Sequence, residues 1–176
     1  MTDVTDRPNA SPETARPDAD ARLAAIYQDI ILDHYRRPRG KGALEAPEGT
    51  ATIAAERRNP LCGDEISLQL ALDGDVVREA RFTGRGCSIS QASASMLTQA
   101  VRGKTRAEAE ALVRRFVALA HGDAAAAGDK AMGELRALQG VSRFPARIRC
   151  ATLAWGALDD ALKADGRQSD RGEREG

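Results

Sequence analysis

The amino-acid sequence predicts an α+β fold, a small antiparallel β-sheet of about three strands packed against a layer of α-helices, with a metal site at one end of the sheet. Three observations lead there. Apolar residues recur at helical spacing before any strand pattern begins. A strand–turn–strand pattern then fills residues 66–82. The chain beyond Cys87 reads as helix, and one helix, then strands, then helices is the α+β order.

Taken in order, Leu23, Ile26, Tyr27, Ile30, Ile31 and His34 fall on one helical face and predict an amphipathic first helix. Pro38 and Gly40 stop it. A first strand is expected near residues 50–56. Ile66, Leu68, Leu70 and Leu72 alternate with polar or small residues, as in a half-buried strand. Asp73-Gly74 is a hairpin turn signal, and Val76 to Phe82 returns as the partner strand. After Cys87, the small residues Ser90 to Ser95 lead into a closely packed helix that stops at Gly103. Thr105 with Glu108 forms a capping-box pattern and opens a helix to about Ala120. Residues 121–128 read as a loop or a frayed helix end. A short helix is expected around Met132–Leu138, and Pro145 suits the first turn of a last helix running to about Lys163.

Residues 1–20 are polar, with Pro8, Pro12 and Pro17, and residues 164–176 are polar too. Neither stretch holds enough apolar surface to offset the entropy of ordering, so both are expected to be disordered tails around one domain, residues 21–163. At 176 residues the chain is long enough for a real core. Hydrophobic residues make up 42% and the formal net charge is zero, so nothing global favours nucleic acid or an anionic membrane as a partner. No stretch approaches the roughly 18 apolar residues of a membrane helix, and no signal-peptide core is visible. Three cysteines are an odd count for a disulfide framework, which favours a reducing cytoplasm and thiols free to bind metal.

The chemistry concentrates in those cysteines. Cys62 and Asp64 lie in Asn59-Pro60-Leu61-Cys62-Gly63-Asp64, Cys87 follows Gly84-Arg85-Gly86, and Cys150 follows Pro145-Ala146-Arg147-Ile148-Arg149. An antiparallel pair sets the start of one strand beside the end of the other, so Cys62, Asp64 and Cys87 can meet at one end of the sheet. Cys150 falls in the first turns of the last helix, which can dock over them. Three thiolates and a carboxylate suit tetrahedral Zn²⁺, and the same sulfurs suit an iron–sulfur cluster. If a helix begins near Ser88, its N-terminus favours a thiolate at Cys87. Each residue has a plainer reading: an inert buried thiol for Cys150, a turn residue for Asp64, a core histidine for His34, a solvated loop for His121 and a solvated helix face for Arg147 and Arg149.

Further motifs surround these residues: Tyr27, Asp33-His34-Tyr35, Pro38-Arg39 and Lys41-Gly42; Ile89-Ser90 and Ala92 to Ser95; Pro145-Ala146-Arg147, Cys150-Ala151, Leu153 and Trp155. Together they resemble the IscU/NifU-type iron–sulfur assembly family over about residues 20–163. Within it the chain is similar to the SufU branch. IscU-type chains carry a histidine before the third cysteine, where this chain has Arg149, and a shorter connection than its 63 positions (150 − 87). They also carry a chaperone-binding segment that residues 142–149 do not match, so Hsp70 recruitment is not expected.

The resemblance implies a zinc-dependent sulfur acceptor, with zinc on Cys62, Asp64, Cys87 and Cys150. It implies a SufS-type, pyridoxal-phosphate cysteine desulfurase as partner, one of whose histidines replaces Cys62 on the metal. Cys62 then takes the persulfide sulfur and passes it towards a SufBCD-type complex. Arg147, Arg149 and His34 are accessory candidates. The alternative is a scaffold on which a [2Fe–2S] cluster is assembled. A purely structural zinc site also stays open. A zinc hydrolase is disfavoured, because the deaminase signature is absent.

Overall fold

In a computed structural model that describes residues 16–172, the elements follow the expected order. Helix α1 (Arg16–Arg36) precedes strands β1 (Ala51–Asn59), β2 (Asp64–Asp73) and β3 (Val76–Arg85). Helices α2 (Ser88–Val101), α3 (Arg106–Ala120) and the short α4 (Ala124–Gly128) come next. A 3₁₀ segment, Lys130–Arg143, leads into the last helix, α5 (Pro145–Gly172). The strands form an antiparallel meander in the order β1-β2-β3, so the sheet is three-stranded as expected.

The differences have local causes. Strand β1 continues to Asn59, past the expected 56, through Glu56, Arg57 and Arg58. It is an edge strand, where polar side chains can face water, and Arg57 reaches back to Asp160 of α5 at 2.7 Å. The expected loop at 121–128 contains α4, whose first turn is capped by Asp123 accepting from the Ala126 N–H. The segment after it is 3₁₀ rather than α, and it is interrupted at Gly133. Helix α1 starts at Arg16, inside the stretch expected as a tail, where a proline at position 17 suits a first turn. Helix α5 runs on to Gly172, because extending a formed helix adds one hydrogen bond per residue without a new nucleus. Residues 1–15 and 173–176 of the expected tails lie outside the described residues.

The core lies between the inner face of the sheet and the helices. Ile66, Leu68 and Leu70 of β2 and Phe82 of β3 are fully buried there. On α2, Ala92, Ser93, Ala94 and Ser95 are buried, and their small size lets α1 and α5 approach. Trp155 stacks on Phe116 with ring centroids 4.3 Å apart and donates to Ser93 Oγ at 3.0 Å. His34 is the core histidine of the plainer reading. Its Nε2 donates to the Glu134 carboxylate at 2.7 Å, so in the neutral ring Nδ1 accepts from the Ser95 hydroxyl, also at 2.7 Å.

The capping box at Thr105 is complete. Thr105 Oγ1 accepts from the Glu108 N–H, and the Glu108 carboxylate accepts from the Thr105 N–H. Thr105→Ala is expected to lower stability by about 1 kcal/mol, read as a lower urea midpoint with an unchanged slope.

Candidate metal centre

The β1–β2 connection places the first two site residues. Asn59 pairs with Asp64 across the ladder, so residues 60–63 form the turn. Its closing position, Gly63, has φ +74°, a left-handed conformation that glycine enters without strain. The Asn59 carbonyl accepts from the Gly63 N–H at 2.8 Å, and Asn59 Oδ1 accepts from the Leu61 N–H at 3.1 Å. The turn thus presents Leu61 (74% exposed) and Cys62 to solvent and delivers Asp64, 3% exposed, inward at the first residue of β2.

Strand β3 returns beside β2 and leads directly into Cys87, which stands immediately before α2. Gly86 makes the close passage possible, since a Cβ there would lie 2.9 Å from Asp64 Cγ and 2.3 Å from Ser90 Oγ. The Cys87 N–H donates to Asp64 Oδ1 at 3.2 Å, while the thiol makes no capping bond and is exposed. Cys150 comes from the first turns of α5, which packs on β1 and β2, and it is buried.

The sulfur of Cys62, that of Cys150 and a carboxylate oxygen of Asp64 all lie within 4.8 Å of one another. The two Sγ atoms are 3.9 Å apart. Tetrahedral zinc with Zn–S bonds of about 2.3 Å holds its sulfurs about 3.8 Å apart, so the pair fits. Asp64 Oδ2 is buried and has no hydrogen-bond partner among the described residues. An orphaned buried carboxylate oxygen facing thiols is costly without a cation. The Cys150 thiol is pushed far up by its burial, and Cys87 and Asp64 beside it push the same way. A bound cation reverses that balance, because a thiol that coordinates a metal is deprotonated.

Of the four expected ligands, the structure gathers Cys62, Asp64 and Cys150 as one group. It leaves the Cys87 sulfur outside that group, although Cys87 borders both Asp64 and Cys150. The accessory candidates separate. Arg147 is exposed, stacks over the Phe144 ring at 4.5 Å and lines the groove beside Cys87 and Cys150. Arg149 is exposed outside that groove, and His34 is held in the core by Ser95 and Glu134.

The groove itself, about 930 Å³, escaped sequence reasoning. It runs between α1, the 3₁₀ segment and the start of α5, with Leu23, Tyr27, Val141 and Phe144 among its lining and Cys87 and Cys150 at one end. Leu23 and Phe144 were legible only as apolar residues. Periodicity cannot tell an apolar residue that is covered from one that borders a groove.

The family profile of the NifU-like N terminal domain matches residues 26–151. The zinc-dependent sulfurtransferase SufU of Bacillus subtilis (strain 168) is 46% identical over 142 residues, covering 81% of this chain and 92% of that protein. The iron–sulfur cluster assembly scaffold protein IscU of Streptococcus pyogenes serotype M1 is 43% identical over 143 residues, covering 81% and 86%. A crystal structure described only as that of a hypothetical protein superposes with a TM-score of 0.70 at 43% identity, covering 79% of this chain and 98% of that one.

Proposed function

The chain belongs to the NifU-like N-terminal domain family, and from that premise we propose that it is a zinc-dependent sulfur acceptor in iron–sulfur cluster assembly. The observation that carries the reading is the pairing of an exposed thiol with two buried ligand groups: Cys62 stands on a solvent-facing turn, its sulfur 3.9 Å from that of Cys150 and within 4.8 Å of an Asp64 carboxylate oxygen.

Cys62, Asp64, Cys87 and Cys150 would hold the metal. Zinc bound there would keep its cysteine ligands deprotonated at neutral pH, restrain their nucleophilicity and add no redox chemistry. Three of these residues are fixed by regular structure: Asp64 by β2, Cys87 by the β3–α2 junction and Cys150 by α5. Cys62 alone hangs on a turn, so it can leave the site and return while the other three stay in place.

The donor is a SufS-type, pyridoxal-phosphate cysteine desulfurase carrying a cysteine persulfide. The Cys62 thiolate attacks the terminal sulfur of that persulfide. A sulfur–sulfur bond forms on Cys62, the bond in the partner breaks, and the partner cysteine leaves as a thiolate. Phe144, exposed in the lining of the groove, and Leu61, exposed on the Cys62 turn, offer apolar area for such a partner. The sulfur then passes to a SufBCD-type assembly complex, in the reducing cytoplasm expected for free thiols.

The scaffold reading rests on the likeness to IscU of Streptococcus pyogenes, and the same thiols suit a [2Fe–2S] cluster as cargo. Arg149 in place of a histidine speaks for the sulfur acceptor. The test measures metal content together with desulfurase turnover. One zinc per chain and a strong rise in alanine output when the protein is added support the sulfur acceptor. Bound iron with no rise supports the scaffold.

A further inference from the structure

The two sulfurs in contact have unequal surroundings. Cys62 is exposed on its turn and Cys150 is buried in α5, yet their Sγ atoms lie 3.9 Å apart, close to the separation from which bonds form. Resting on the sulfur-acceptor reading above, we propose that Cys150 is the resolving thiol for a sulfane sulfur carried on Cys62. In that state Cys62 Sγ becomes the inner sulfur of the persulfide, and it remains the atom that Cys150 touches. The added sulfur extends from a side chain that is open to solvent.

Cys150 Sγ attacks Cys62 Sγ. The bond between Cys62 and the added sulfur breaks, and a Cys62–Cys150 disulfide forms. The Cys150 thiol proton departs with the added sulfur, which leaves the persulfide anion as hydrosulfide. The sulfane sulfur gains two electrons and the cysteine pair loses two, so no outside reductant enters. Attack on the outer sulfur would only move the sulfane from one cysteine to the other. Cys87 is the competing thiol: it borders Cys150 but falls outside the group in which Cys62, Asp64 and Cys150 are mutually close.

A Cys150 engaged as a metal ligand cannot make this attack. The metal-loaded protein therefore keeps its sulfur in transferable form, and the metal-free protein discharges it as sulfide and closes a disulfide.

Two measurements test this on the full chain without oxygen. In the first, reduced, metal-free protein receives less than one equivalent of 5,5′-dithiobis(2-nitrobenzoate). The expected result is two thionitrobenzoates per reagent, a protein lighter by two hydrogens and a Cys62–Cys150 cross-linked peptide. Cys150→Ser should release only one and keep the mixed disulfide. A mixed disulfide that persists in the unaltered chain, or a cross-link through Cys87 in its place, overturns the proposal.

In the second, the zinc-loaded chain is charged by a cysteine desulfurase and then stripped of metal with a chelator. Release of one hydrosulfide per chain together with a Cys62–Cys150 cross-linked peptide supports resolution. Retention of the added sulfur on Cys62 after stripping overturns it and leaves the acceptor reading intact. Failure of Cys62 to gain sulfur at all defeats the acceptor reading instead, and the first measurement still decides the role of Cys150.

Discussion

Cys62→Ala is expected to reduce stimulation of a cysteine desulfurase to the level seen without the protein, while part of the zinc stays bound. The reasoning begins with exposure. Cys62 is on the solvent side of a four-residue turn whose shape is held by Asn59 and Gly63, not by the thiol. In the metal-free chain, loss of the sulfur should change stability by no more than about 0.5 kcal/mol, the range of ordinary surface substitutions. Asp64, Cys87 and Cys150 keep their places on β2, before α2 and on α5. The variant is therefore a folded protein with three of four ligands and no sulfur-accepting atom. Alanine output under steady turnover, zinc content after gel filtration and far-UV circular dichroism measure the three claims. Full stimulation by a well-folded Cys62→Ala protein would remove Cys62 from the centre of the mechanism.

Asp64→Asn should move metal-free and metal-loaded stability in opposite directions. In the metal-free chain Asp64 is buried, its Oδ1 accepts only the Cys87 N–H, and its Oδ2 has no partner among the described residues. An unsatisfied buried polar group costs about 1–3 kcal/mol, and a charged one costs more. The amide is neutral, keeps an acceptor for Cys87 and can donate to the sulfurs. The metal-free melting temperature should rise, by about 2–4 °C for each kcal/mol recovered. With zinc the effect reverses, because an anionic ligand is gone. Each tenfold loss of affinity removes about 1.4 kcal/mol from the stabilisation that zinc confers. Melting curves with zinc and with chelator show both effects in one experiment. Equal shifts in the two conditions would place Asp64 outside the centre.

Where local chemistry decides structure, the sequence was readable. The alternation of Ile66, Leu68 and Leu70 and the Asp73-Gly74 turn located β2 and β3, and Thr105 with Glu108 marked the start of α3 within a residue. Cys62 and Cys87 stood out because each lies beside glycine in a polar, turn-forming stretch, whereas Cys150 read equally well as an inert buried thiol and Asp64 as a turn residue. Less was readable where tertiary contacts decide. Strand β1 runs through Glu56, Arg57 and Arg58 because an edge position tolerates them and Asp160 on distant α5 takes the arginine. The 3₁₀ segment 130–143, interrupted at Gly133, packs against α1 and α3, contacts that no periodicity in that segment reveals. The separation of Cys87 from the close trio depends on side-chain direction at a strand–helix junction, below what spacing alone can resolve.

The meander of the sheet also bears on how the centre comes into being. Cys62, Asp64 and Cys87 all belong to residues 59–87, whose pairings are between neighbouring strands, the contacts that form quickly in folding. Cys150 must be brought back across 63 positions (150 − 87), a loop closure that costs about 4 kcal/mol in chain entropy. During synthesis the sheet leaves the ribosome well before α5. A growing chain therefore displays an open, incomplete centre for many residues of elongation, and docking of α5 is the event that closes it.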